Sequence, residues 1–198
     1  MGHAGAAAAA VRYLRSVPAA GPVEALPRPE LRCVRADERA PVDQTEFRRV
    51  LGNFATGVTV ITAPAAEGES SPAGFACQSF SSLSLDPPLV CFMVGRTSAT
   101  WPRIARAGVF CVNVLGAGQG ELCRAFAVSG TDKFAGVPYD AAPASGSPRL
   151  TGAAAWIDCT IHAVHTGGDH LIVVGRVTAL GTGEAPEEPL LFHRGRFR

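Results

Sequence analysis

The chain has 198 residues, of which 47% are hydrophobic and 18% charged, and its formal net charge is +1. That length suits one domain, whose core buries roughly 70% of the unfolded chain's surface. So even a charge balance argues against nucleic acid or an anionic membrane as a partner, and no run of about 18 apolar residues offers a membrane-spanning helix.

Residues 1 to 42 differ from the rest. Ala6 to Ala10 form a low-complexity run, followed by Pro18, Pro22, Pro27, Pro29 and Pro41 among scattered arginines. This mixture has little to bury and reads as a mobile extension. A secretory signal fits poorly, because no positive charge precedes the alanines and the apolar run is short before Arg12 and Arg15. A start codon placed too far upstream is the other reading.

The folded domain is expected over residues 43 to 198. Asp43 followed by Glu46 resembles a capping box, and Phe47, Val50 and Leu51 then share one helix face up to Gly52-Asn53. Strands are expected at Gly57 to Thr62, Leu89 to Val94, Val109 to Leu115, Trp156 to His165 and Leu171 to Leu180. Short helices fit near Thr97-Ser98 and from Gly120 through Leu122, Cys123 and Phe126. Gly136 to Pro148 reads as a loop. Several strands with few helices predict a mainly β fold, an antiparallel barrel or sandwich.

The six cysteines are Cys33, Cys77, Cys91, Cys111, Cys123 and Cys159. None forms a C-x-x-C pair and most lie in apolar runs, so they are expected reduced and buried, as in a cytoplasmic protein. No Cys/His cluster has zinc spacing, so no metal site is expected.

Gly116-Ala117-Gly118-Gln119-Gly120-Glu121 lies between a strand and a helix, as a dinucleotide-binding loop does. Its third glycine position holds Glu121, and no βαβ unit surrounds it. The serines at 79, 81, 82 and 84 lack the G-x-S-x-G elbow of a hydrolase.

Three segments carry candidate chemistry. Gly74 to Leu89 (GFACQSFSSLSLDPPL) places four hydroxyls within six positions. A bend would let hydroxyls and backbone N–H groups converge on a phosphate; a polar edge strand explains the same pattern. Gly95 to Thr100 (GRTSAT) supplies one charge, hydroxyls and a helix start, which suits an anion or a plain N-cap. Gly168-Asp169-His170 places a histidine beside a carboxylate at a turn. That suits a ligand contact or a structural role.

These segments occur in order with Asn53 to Thr62 (NFATGVTVIT), Phe110 to Leu115 (FCVNVL) and Pro189 to Gly195 (PLLFHRG). Together they resemble the flavin reductase-like family, the reductase partners of two-component flavin monooxygenases. The likeness covers roughly residues 43 to 198. It implies an FMN-binding split β-barrel of Greek-key topology, working as a homodimer, with FMN or FAD near the subunit interface and NADH or NADPH as reductant. It also implies a separate monooxygenase as recipient of the reduced flavin.

By that resemblance, Thr56, Gly57 and Val58 border the flavin ring, and Ala76, Cys77, Gln78 and Ser79 meet its edge. Ser81 and Ser82, with Arg96, Ser98 and Thr100, take the phosphate side. Lys133 and Phe134 lie near the flavin or nicotinamide, and His193 belongs to the cofactor-binding C-terminal motif. His170 faces the nicotinamide nucleotide, with Asp169 behind it. Cys77 and Gln78 depart from the family's usual small or polar pair. Two rival readings use the same barrel: a non-enzymatic flavin-binding or electron-transfer protein, and an oxidoreductase of the pyridoxine phosphate or deazaflavin type.

Overall fold

Strand β2 (Thr59–Ala63) is buried at every position, because it separates two apolar clusters. Ile61 and Ala63 join the first, built around Phe92, Trp101, Ile104 and Phe110. Val60 joins the second, with Leu115, Phe126, Phe134 and Leu190. A strand with both faces covered needs no polar alternation, which is why Val58 to Thr62 (VTVIT) is β-branched throughout. Each large apolar side chain buried this way contributes about 1.5 to 3 kcal/mol.

The computed structural model describes residues 42–130, 132–183 and 188–198. The expectation for the segment before residue 42 therefore lies outside the described residues. After helix α1 (Gln44–Leu51) and strand β1 (Thr56–Gly57) come β2 and β3 (Ala73–Cys77), then β4 (Ser81–Leu85) and β5 (Pro88–Gly95). Helix α2 (Trp101–Ala107) leads to β6 (Val109–Val114), a 3₁₀ turn (Ala117–Gln119) and helix α3 (Gly120–Ala127). Strands β7 (Tyr139–Ala141), β8 (Pro148–Leu150), β9 (Ala155–Gly167), β10 (His170–Thr182), β11 (Leu191–His193) and β12 (Arg196–Phe197) complete the chain.

Seven antiparallel strands form one sheet in the order β3-β2-β6-β9-β10-β5-β4. Out-of-order neighbours such as β2-β6 and β10-β5 are Greek-key connections. The sheet curls on itself: Phe75 on β3 meets Phe92 on β5 edge-to-face at 5.9 Å between ring centroids. The result is a mainly β split barrel, with three short helices among the described residues. No βαβ unit surrounds Gly116 to Glu121 here. Gln119 Oε1 instead accepts from the Gly116 N–H at 3.0 Å and fixes the turn.

The five expected strands and all three helices are present. At α1 the Asp43 carboxylate accepts from the Thr45 and Glu46 N–H groups, but Glu46 turns away to pair with Arg49, so the box is half formed. α2 begins at Trp101 rather than near Thr97, because Ser98 N–H closes a turn back to the Gly95 carbonyl. The expected loop from Gly136 to Pro148 contains β7 and ends at β8, paired as a small hairpin. A buried network ties that hairpin down: Asn113 Nδ2 donates to Thr62 Oγ1 and the Pro148 carbonyl, and Asn113 Oδ1 accepts from Leu150 N–H. Among the described residues no helix is long and apolar enough to cross a membrane.

Candidate active site

β3 ends the seven-stranded sheet, so among the described residues one of its edges has no ladder partner. After Cys77 the chain leaves the strand and re-enters at Ser81. Ser79 Oγ there donates to the Met93 carbonyl and accepts from its N–H, both at 2.9 Å. This clips the end of β3 to β5. The open edge of β3 and the inner side of β5 thereby become two walls of a cleft of about 990 Å³. The loop from Thr97 to Thr100 with Arg103, Phe126 to Gly130, Asp132 to Phe134, and Phe192 and Phe197 complete it, with His170 at one side.

Ten of the residues singled out in the sequence meet at this cleft: Val58, Ala76, Cys77, Gln78, Ser79, Ser98, Thr100, Lys133, Phe134 and His170. Thr56, Gly57, Ser81, Ser82, Arg96, Asp169 and His193 lie outside its lining. Ser81 and Ser82 are exposed on β4, where Ser81 Oγ donates to the Ser82 carbonyl at 3.0 Å. The Arg96 N–H donates to the Asp169 carbonyl at 3.0 Å, tying the tip of the β9-β10 hairpin to the end of β5. Thr56 Oγ1 is buried without a hydrogen-bond partner among the described residues.

Sequence reasoning missed Arg103, Phe192 and Phe197. Arg103 follows Thr100 by three residues, a spacing that puts both on one helix face and could have flagged it. The two phenylalanines flank the Arg194-Gly195 turn of β11-β12, a two-residue hairpin signal in itself.

Two cations stand in the cleft wall. Arg103 Nε donates to Glu69 at 2.5 Å, and its Nη2 donates to the Ser71 carbonyl at 2.6 Å. Glu69 also pairs with Arg106 at 2.5 Å, and the Arg103 hydrogen bond above all holds the Glu69 carboxyl below its ordinary range. Lys133 Nζ donates to the Phe126 and Gly74 carbonyls at 3.0 and 3.2 Å, which leaves one N–H unused among the described residues. Burial, and then the Arg103 charge, push the Lys133 ammonium down from its usual value.

The Cys77 thiol is pushed up by burial, so at neutral pH it is a thiol and no nucleophile. His170 Nδ1 lies 2.8 Å from Asp169 Oδ1, and that bond is the main cause holding Asp169 below the usual carboxylate range. An ionised Asp169 makes Nδ1–H the donor, which orients the ring with Nε2 beside Gly95. Among the described residues no His/Cys/Asp/Glu group could hold a metal.

The cleft suits a planar heterocycle with a polar edge. Unpaired backbone groups of β3 can meet such an edge, and the apolar faces of Val58, Phe134 and Phe192 can meet the plane. Its volume lies at the upper end of the ~300 to 1,000 Å³ typical of ligand pockets, which leaves room for a second ring.

Comparison with protein families matches residues 51–198 to the family described as flavin reductase like domain. The reductase subunit HsaB of a flavin-dependent monooxygenase from Rhodococcus jostii is 50% identical over 157 residues, 79% of this chain and 77% of that protein. A crystal structure of a nitrilotriacetate monooxygenase component B homologue from Mycobacterium thermoresistibile superposes with a TM-score of 0.74 at 48% identity, covering 78% of this chain and 85% of that one. The NADH:FAD oxidoreductase SgcE6 of Streptomyces globisporus, solved with NAD and FAD fragments, gives a TM-score of 0.74 at 40% identity, covering 82% and 96%.

Proposed function

Because this chain belongs to the flavin reductase-like family, we propose that it reduces FMN or FAD with NADH or NADPH and supplies the reduced flavin to a separate monooxygenase. The bound cofactors supply the redox chemistry, a hydride passing from nicotinamide to flavin. The observation that carries the reading is the cleft itself: the open edge of β3 forms one wall, and His170 stands at its side.

The residues act by position. Backbone groups from Ala76 to Ser79 meet the polar edge of the flavin ring, and Val58, Phe134 and Phe192 flank its plane. Holding two rings at roughly 3 to 3.5 Å replaces a chance encounter with an aligned one. His170, oriented by Asp169, presents Nε2 to the nicotinamide nucleotide. Thr97, Ser98, Thr100 and Arg103 give hydroxyls and a charge for a phosphate. The expected roles of Thr56, Gly57, Ser81, Ser82, Arg96 and His193 call for a ligand or second subunit reaching beyond the single-chain cleft.

A homodimer is part of this proposal. Phe47, Val50, Leu51 and Phe54 are each more than half exposed, an apolar face that a second copy would cover. Full flavin reduction by a protein that sediments as a monomer would contradict it. We assign the activity to residues 43 to 198. A cytoplasmic setting accords with the five unpaired cysteines of the described residues.

The test is steady-state oxidation of NADH and NADPH by the purified protein with FMN, FAD and riboflavin in turn. Saturable turnover with at least one flavin is expected. Oxidation no faster than in protein-free controls would remove the assignment.

A further inference from the structure

A second concavity of about 500 Å³ is lined by Arg48, Arg49, Gly52, Asn53, Arg194 and Gly195. It holds three guanidinium groups. Arg49 is engaged by Glu46 at 2.6 Å, but among the described residues neither Arg48 nor Arg194 is paired with a carboxylate. Two bare guanidinium groups sharing a pocket repel one another, so their placement needs a cause.

Arg194 is held there at some cost. It occupies the first turn position between β11 and β12 with φ of +50°, the left-handed region where a branched or long side chain is rare and Asn or Gly is usual. Its N–H donates to the Gly52 carbonyl at 3.0 Å. Its Nε and Nη2 both donate to Asn53 Oδ1, at 2.9 and 2.5 Å. Asn53 is fixed in turn, because its Nδ2 donates to the Arg49 and Val50 carbonyls at 3.1 and 2.9 Å. The guanidinium is thus immobilised by a neutral amide, while among the described residues three of its five N–H donors stay unspent. Pre-set donors of that kind suit a doubly charged oxyanion.

The pocket is tied to the main cleft in two ways. The hairpin whose turn carries Arg194 sends Phe192, two residues earlier, and Phe197 into the cleft. On the other side, Arg48 is near enough to Asp169 for its charge to help hold that carboxyl down. Asp169 orients His170, which lines the cleft.

We propose that Arg48 and Arg194 form a phosphate site that receives a pyrophosphate or ribose phosphate of an adenine dinucleotide whose ring occupies the main cleft. The phosphate chemistry stands on the pocket alone; the dinucleotide rests on the proposed reductase function. Asn53 acts as a positioning residue, through Arg194.

Calorimetric titration of the full chain with inorganic pyrophosphate tests the site without any turnover. The wild type is expected to bind, and Arg48→Gln/Arg194→Gln to bind about 10-fold more weakly or worse. Arg48→Gln alone, on an exposed helix, gives the same direction without touching the strained turn. Absence of binding by the wild type, equal binding by the variants, or a change of oligomeric state with binding intact would each overturn the proposal.

Flavin quenching and kinetics then identify the source. Loss of FAD affinity with FMN and riboflavin unchanged assigns the flavin pyrophosphate. A KM rise for NADPH but not NADH assigns the ribose phosphate, and an equal rise for both assigns the nicotinamide pyrophosphate. Arginine-dependent pyrophosphate binding in a protein without reductase activity would sink the reductase reading and leave the phosphate site standing.

Discussion

The Ser79 hydroxyl replaces a missing strand partner for Met93, accepting from its N–H and donating to its carbonyl at 2.9 Å each. That clip adds to the Phe75–Phe92 contact and ties the chain just past β3 to β5, which sets the cleft wall. Ser79→Ala should cost about 1 kcal/mol of unfolding free energy, since water reaches both Met93 groups and offsets part of the loss. Flavin affinity should fall further than stability does. Urea unfolding and flavin fluorescence quenching measure the two. Unchanged quenching would show that the clip does not set the cleft.

His170 lies at the tip of a two-residue hairpin turn, with Gly168 at φ +68° and Asp169 bonded to the imidazole. A hydride moves with its electrons and needs no acid in that step, so the ring's work is to place the nicotinamide nucleotide. His170→Ala should lower kcat/KM for NAD(P)H by about 10- to 100-fold, equivalent to about 1.4 to 2.7 kcal/mol. Asp169→Asn should have a smaller effect in the same direction. Flavin affinity should be nearly unaffected. A loss confined to flavin binding would move His170 away from the nicotinamide.

The Thr56 hydroxyl is buried with no partner among the described residues, a cost of about 1 to 3 kcal/mol to the ligand-free protein. Thr56→Val keeps the shape and removes the orphan. The variant should therefore melt at the same temperature or higher without flavin, yet bind flavin more weakly. A lower melting temperature with normal flavin affinity would give the hydroxyl a purely structural partner.

Much of this architecture was readable from the chain. β2, β5, β6, β9 and β10 announce themselves as β-branched or apolar runs, and Asp43 marks α1 through its cap. β4 is polar at three of its five positions, because it is an exposed edge strand, and its serines imitate an anion cradle. Whether a hydroxyl faces a cleft depends on how the sheet curls, which no local pattern records. Arg103 was hidden for a similar reason: its anchor, Glu69, is 34 residues away. His170 was legible because a Gly-Asp turn fixes its place locally, whatever the rest of the barrel does.

Buried thiols set an alkaline limit on the fold. Burial first, and then the Asp158 charge, push the Cys111 thiol up from 9.0 to about 12, and Cys159 is shifted the same way. The folded state therefore holds protons that the unfolded chain releases. The sign follows: this stability is fully present below pH 9 and is lost as pH rises through about 12. Melting temperature should fall progressively above about pH 9, and less steeply in Cys111→Ala than in the wild type. Native alkylation at neutral pH should spare both residues. Rapid labelling of Cys111 in the folded protein would contradict their burial.

Flavin reduction by this chain means catalytic transfer of reducing equivalents from NAD(P)H to a flavin that then leaves. Anaerobic mixing of catalytic amounts of protein with excess NADH or NADPH and excess FAD or FMN measures that directly. Bleaching of the whole flavin pool over many turnovers is expected, matched one for one by nicotinamide oxidation. Bleaching that stops at one flavin per protein, or proceeds no faster than without protein, would contradict it.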